Sequence, residues 1–262
     1  MNMFLQAFPV FLLIFCRITA FFVVAPLFST RGVPNAFKIG LGFFISLIVF
    51  LSYGVGESAA FDIGYPLLVI REVLTGVLLG YIVYLFFTVV QTAGAFIDLQ
   101  LGLAMANIID PLTGAAAPVT GNLKYYLMLM IFLSMNGHHY MLTALMQSYD
   151  WIPLGSELFF RIREGGVTEF LTRTFAMTFS LALQLSAPLV VAMFLTDVGL
   201  GFLAKTAPQF NVFVIGIPVK LLVGFVILAL TLPGMTLLFG NLFAEMFESL
   251  NRLLAIVNAG PG

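Results

Sequence analysis

The chain is 262 residues long; 61% are hydrophobic and only 9% charged, against roughly 25% charged in a soluble globular chain. At a mean hydropathy of +1.10 there is too little polar surface to cover a water-soluble sphere. A net charge of −1 with no basic block argues against nucleic acid as a partner, and the single Cys16 excludes an intrachain disulfide and a cysteine-based zinc site. The composition is that of an integral membrane protein.

Charged positions cut the chain into uncharged windows. After a first run broken only by Arg17, these are 39–56, 73–97, 125–149, 174–196 and 221–244, or 18, 25, 25, 23 and 24 residues. A helix needs about 20 apolar residues to cross the hydrocarbon of a bilayer. The windows predict an all-α membrane protein of six hydrophobic helices, near 3–28, 36–53, 65–90, 123–146, 174–196 and 212–240. No basic residue precedes the first apolar run, so it is not expected to be a cleaved signal. Residues 91–109 extend the third helix with a stripe of Gly94, Asp98, Gly102 and Ala106 at four-residue spacing. Residues 110–122, with two prolines, two glycines and three alanines, read as a loop. Residues 150–173 form the one long polar stretch. After Asn241 an amphipathic helix is expected, with Leu242, Phe243, Met246, Phe247, Leu250, Leu253, Leu254 and Val257 in one arc. Its polar face, with Glu245 and Glu248 against Arg252, is net negative where a membrane-surface anchor favours Lys/Arg, so a partner's groove is the expected cover.

Six ordinary spans fit the charges poorly. Arg31, Lys38, Lys124 and Lys205 fall in connections on one side, and Arg161, Arg163, Arg173 and Arg252 on the other. That balance removes the bias that orients membrane helices. Arg17, Arg71, Glu72 and Lys220 sit within or just inside apolar helices. Each costs about 2.5–3.5 kcal/mol at a helix centre on the insertion scale. Arg71 and Glu72 are neighbours about 100° apart around the helix and are not expected simply to neutralise each other. Snorkelling is the alternative for Arg71, Glu72 and Lys220, but it suits mid-run Arg17 badly. Charges so placed face a bundle interior, an aqueous cavity or a partner subunit. Pro26, Pro188, Pro218 and Pro233 interrupt or end apolar helices, while Gly76 and Gly80 form a small-xxx-small pair for close helix approach. Kinked hairpins packed against protein are the expectation.

No catalytic constellation emerges, and no cofactor or metal is expected. His138 and His139 are neighbours beside a helix break at Asn136–Gly137, not the i, i+4 pair of a zinc protease. The chain holds no G-x-S-x-G, P-loop or dinucleotide fingerprint. Asp98 and Asp110 are a thin basis for a proton relay; N-capping or a helix interface is the commoner use. Residues 32–44 echo 209–226 in their Asn, Phe, Pro, Lys and Gly, and each stretch follows an Ala-Pro-Leu. Such a repeat suits a transporter, or equally a subunit that repeats a module of a larger assembly.

Several features occur together in order: Arg17, Ala25-Pro26-Leu27-Phe28, the stretch from Arg31 to Lys38, Arg71-Glu72, and Gly94 with Asp98. The Asp110-Pro111 loop, Asn136 to His139, Ala187-Pro188 and the run from Asn211 to Lys220 follow. Taken together they make the chain resemble the FliR family of flagellar type III export gates and its injectisome counterparts. The resemblance implies one copy in a helical assembly with five FliP-like and four FliQ-like subunits in the bacterial inner membrane, at the flagellar basal body. An FlhB-like subunit would wrap it, and unfolded export substrates and membrane lipid would be its other contacts. It also implies a FliP-like part over 1–173, a FliQ-like hairpin over 174–240 and the amphipathic tail over 241–262. A loop of the family plugs the pore. Here the candidate set is Met105, Ile108, Ile109, Pro111, Leu112, Gly114, Ala115, Ala116, Ala117, Pro118 and Val119, whose apolar members could gate by dewetting. Arg17, Arg71, Glu72, Asp98 and Lys220 are the candidate assembly charges, and Gly76, Gly80, Gly94 and Gly102 the close-packing glycines. Reading by residues alone leaves a small-molecule secondary transporter as the alternative from another class.

Overall fold

The computed structural model describes residues 2–30, 32–55, 63–103, 118–154, 163–209 and 211–258. Among them every regular element is helical. The elements are α1 (Asn2–Val24), α2 (Pro26–Ser29), α3 (Asn35–Val49), α4 (Tyr65–Leu101), α5 (Val119–Ser134), α6 (Gly137–Trp151), α7 (Gly166–Thr206), α8 (Val212–Thr231) and α9 (Met235–Asn258). A π turn, Phe50–Gly54, extends α3, and a 3-10 turn, Leu232–Gly234, joins α8 to α9.

Most departures from the expected helices trace to single residues. The helix expected over 3–28 breaks at Ala25 (φ −65°, ψ 124°) because Pro26 bars its predecessor from helical geometry. The helix expected over 123–146 splits at Asn136, whose φ of 57° is left-handed, a region Asn tolerates better than most side chains. Pro188, by contrast, lies inside an unbroken α7. Pro233 sits in the turn before α9, which starts six residues ahead of the expected 241. Among the described residues five helical stretches are long and apolar enough to cross a membrane: Ala7–Val24, Asn35–Gly54, Tyr65–Leu101, Gly166–Thr206 and Val214–Asn258. Six were expected, and the break at Asn136 removes one.

Two of these helices are much longer than a bilayer requires. At about 1.5 Å per residue, the 37 residues of α4 and the 41 of α7 extend roughly 55 and 60 Å, against about 30 Å of hydrocarbon.

The chain divides into two compact units. Met1–Phe86, Met135–Phe175 and Phe243–Gly262 form the first. Its core holds Val10, Leu13, Ile14 and Ile18 of α1 with Leu79, Ile82 and Val83 of α4. The arc of α9 is covered here too: Met246, Leu250, Leu253 and Leu254 are buried, and Phe247 packs on Tyr140. That replaces the expectation of a partner's groove for the tail. Phe87–Ser134 and Ala176–Leu242 form the second unit. Ile97 and Leu101 of α4 pack there with Leu189 and Met193 of α7, flanked by Leu221 and Leu228 of α8.

Candidate functional site

In the first unit the polar centre is Arg17, which is fully buried, as is Glu72. Arg17 Nε donates to Glu72 Oε2 at 2.6 Å. Nη1 donates to the Ser148 carbonyl (3.0 Å) and hydroxyl (3.1 Å), and Nη2 to the Ile152 carbonyl at 2.9 Å. Ser148 and Ile152 stand at the C-terminal end of α6, where helix carbonyls lack intrahelical donors and the dipole favours a cation. The guanidinium also lies 4.1 Å from the centroid of the Tyr149 ring, and the Tyr149 hydroxyl donates to the Ile14 carbonyl at 3.2 Å. One side chain thus joins α1, α4 and α6. Arg71 Nη2 reaches Glu72 Oε1 at 3.3 Å, so the two neighbours do meet. The long Arg side chain spans the angle that their helix positions leave between them. Of the three settings expected for such charges, Arg17 takes the interior of its own helix bundle.

Close packing makes this centre possible. A Cβ on Gly76 would land on the Arg17 carbonyl oxygen, and one on Gly80 would stand 2.9 Å from Val24 Cβ. α4 can therefore approach α1 only with glycine at both positions. Ser148, Tyr149 and Ile152 went unnoticed in the sequence, since nothing marks a backbone carbonyl or a lone serine as the partner of a distant arginine.

In the second unit Asp98 and Thr120 form another buried pair. Asp98 Oδ1 accepts the Thr120 amide at 3.2 Å, and the Thr120 hydroxyl lies 2.6 Å from Asp98 Oδ1 and 3.0 Å from the Gly94 carbonyl oxygen. Thr120 is in the first turn of α5, so the carboxylate caps that helix from α4. A Cβ on Gly94 would strike the backbone of Gly121. Gly102 behaves differently. Its φ of +78° places it in the left-handed turn that ends α4, and nothing among the described residues stands within 4 Å of where its Cβ would be. It terminates a helix instead of admitting a neighbour. Lys124, counted from the sequence as a connection charge, is buried in α5. Lys220 pairs with Asp197 across the α7–α8 hairpin, and both side chains keep some exposure.

Met105, Ile108, Ile109, Pro111, Leu112, Gly114, Ala115, Ala116 and Ala117 lie outside the described residues. Of the expected plug, Pro118 and Val119 are described: the Pro118 carbonyl accepts from the Asn122 amide at 2.9 Å, and Val119 is exposed. Among the described residues no group of three His, Cys, Asp or Glu side chains comes together. The His138 and His139 rings lie 4.8 Å apart.

Long apolar helices, charges buried between them and glycines at their crossings define a helical membrane protein whose polar groups are spent on joining helices. Residues 8–246 match the family model described as bacterial export proteins, family 1, and the chain belongs to that family. It is 40% identical over 257 residues to the flagellar biosynthetic protein FliR of Bacillus subtilis, covering 98% of this chain and 99% of that one. Identity to FliR of Escherichia coli is 30% over 239 residues, covering 91% and 90%. The Yop proteins translocation protein T of Yersinia pestis is 30% identical over 207 residues, 78% of each chain.

Proposed function

We propose that this chain is a structural and gating subunit of the flagellar type III protein export channel, needed for flagellum assembly and resident in the bacterial inner membrane at the basal body. The observation that carries this reading is the 40% identity to a flagellar FliR along 98% of the chain. The injectisome relative matches 78% of the chain at 30%, which favours the flagellar role over the injectisome one. In this reading the chain is not an enzyme and takes no cofactor. One copy assembles with five FliP-like and four FliQ-like subunits and meets an FlhB-like subunit. Residues 1–173 supply the FliP-like part, 174–240 the FliQ-like hairpin and 241–262 the tail. Arg17, Arg71, Glu72, Asp98 and Lys220 hold the arrangement on which assembly depends. The loop over 106–122 closes the pore at rest and yields to unfolded export substrates. The long helices and balanced charge suit hairpins that do not all cross the bilayer as ordinary spans.

Two measurements test this. The mass of the gently solubilised complex separates a large hetero-assembly from the monomer or simple homo-oligomer of a small-molecule transporter. Deleting Gly114–Ala117 should leave that complex intact while ion conductance of the cell membrane rises. An assembled deletion complex as tight as wild type would assign the seal to partner side chains.

A further inference from the structure

The second unit contains a buried lysine that makes no direct ion pair among the described residues. Lys124 is 5% exposed, yet among the described residues the ion pairs leave it without a carboxylate partner. Asp98 is near enough to act on it electrostatically, but the Asp98 carboxylate is engaged by the amide and hydroxyl of Thr120. Among the described residues Lys124 is the one charged side chain lining a cavity of about 50 Å³, whose walls include Pro188 and Leu189 of α7, Thr231 of α8, and Met235 and Leu238 of α9. Burying an ammonium among such walls is costly unless an anion completes it.

The chemistry of the missing anion can be read from the walls. At about 10–15 Å³ per water-sized group, the cavity holds roughly four such groups, the size of a side-chain carboxylate with its last methylene. A phosphodiester with both esterified carbons is larger. Anionic lipid headgroups are recognised by clustered basic residues, and among the described residues this pocket offers a single cation. The same helices carry large exposed apolar side chains, among them Val191 and Phe194 of α7, Leu222 and Phe225 of α8, and Leu237 and Leu238 of α9. One positive charge inside an apolar rim complements one acid on an apolar helix.

We propose that the Lys124 pocket is a docking socket for a single Asp or Glu side chain carried on a hydrophobic helix of a neighbouring export subunit. The carboxylate pairs with the ammonium, and the apolar flanks of the visiting helix cover Leu238 and its neighbours. This rests on the reading that the chain works within a multi-subunit export complex.

The test uses full-length chain in cells that hold all export subunits. A photoreactive phenylalanine analogue replaces Leu238, which is 47% exposed on the pocket wall. Cross-links should map to a partner peptide within one helical turn of an Asp or Glu. Lys124→Met keeps most of the side-chain volume and should reduce that cross-link and the recovered complex at least about tenfold, the usual scale for losing one member of a buried interfacial pair. Lys124→Glu should abolish motility, and changing the mapped partner acid to Lys should restore it. Cross-links to lipid alone would overturn the proposal. Wild-type recovery of complex with Lys124→Glu, or suppressors confined to Asp98 or Asp110 of this chain, would do the same. If the wild-type chain enters no complex at all, the export-gate reading itself fails. An intact complex that tolerates Lys124→Glu removes only the socket.

Discussion

Helices α4 and α7 are both long and apolar, yet their fates differ. Of the most apolar stretch of α4, 61% is buried within the folded chain; of that of α7, 11%. Apolarity cannot be the cause, because lipid tails satisfy a leucine as well as another helix does. What α4 has is Glu72 paired with Arg17, and Gly76, Gly80 and Gly94 where other backbones come close. α7 carries Phe179, Leu183, Phe194 and Phe202 outward, and its Gly199 and Gly201 face open space. Small residues and charges, not hydrophobicity, decide which apolar helix becomes core. The α7–α8 hairpin, whose Lys220–Asp197 pair stays partly exposed, presents a large apolar surface to whatever surrounds it, lipid or another subunit.

The contrast can be broken most severely at the buried pair. Arg17→Ala leaves Glu72 with only the longer Arg71 contact, and Glu72→Ala leaves both arginines without their carboxylate; breaking a buried pair costs about 3–5 kcal/mol, and either change should sharply reduce recovery of assembled complex before any transport step changes. The double substitution Arg17→Met with Glu72→Leu should cost less than Glu72→Ala alone, since Arg71 is then the one arginine of the centre that loses its carboxylate. Wild-type recovery of both alanine variants would mean that these charges do not organise α4.

A smaller effect is expected from glycine. Gly76→Ala forces α1 and α4 apart and should cost about 1–3 kcal/mol, the range for overpacking. The matched change Gly199→Ala in α7 meets nothing and should be neutral or slightly stabilising, because alanine is the better helix former by about 1 kcal/mol. Thermal aggregation of the purified complexes, compared side by side, reads the difference. Equal midpoints for the two variants would erase the distinction between the helices.

The smallest effect belongs to the hairpin's own ion pair. Lys220 and Asp197 keep 22% and 44% side-chain exposure, and pairs of that kind contribute about 0–1 kcal/mol. Lys220→Met should therefore shift the aggregation midpoint far less than Arg17→Ala. A loss of comparable size would show that the hairpin too is held by charge.

Much of this was legible along the chain. Uncharged windows located the helices, Pro26 and Pro233 sit at real breaks, and Gly76 with Gly80 marked a real crossing. Arg17 stood out because a mid-helix arginine in an apolar run needs an explanation. At the α5–α6 boundary the Asn136–Gly137 break was visible, but hydropathy runs through it and 123–146 read as one span, which the left-handed Asn136 divides. The tail's apolar arc was plain, but the sequence offered no means of telling an intrachain groove from a partner's.

The sequence by itself determined that this is a helical membrane protein, because composition and apolar run length are local properties that survive any arrangement of helices, and its ordered motifs carried the resemblance to the export family. Only the tertiary structure decided where the charges went. Arg17 finds Glu72 at a separation of 55 residues and the end of α6 at 131 and 135, and Asp98 caps a helix that begins 21 residues later. Lys124, which looks like any loop cation in the sequence, becomes a buried charge only when α7 and the turn into α9 fold around it. Pairing depends on which backbones can approach, and that is set by glycines and helix breaks acting together across the fold.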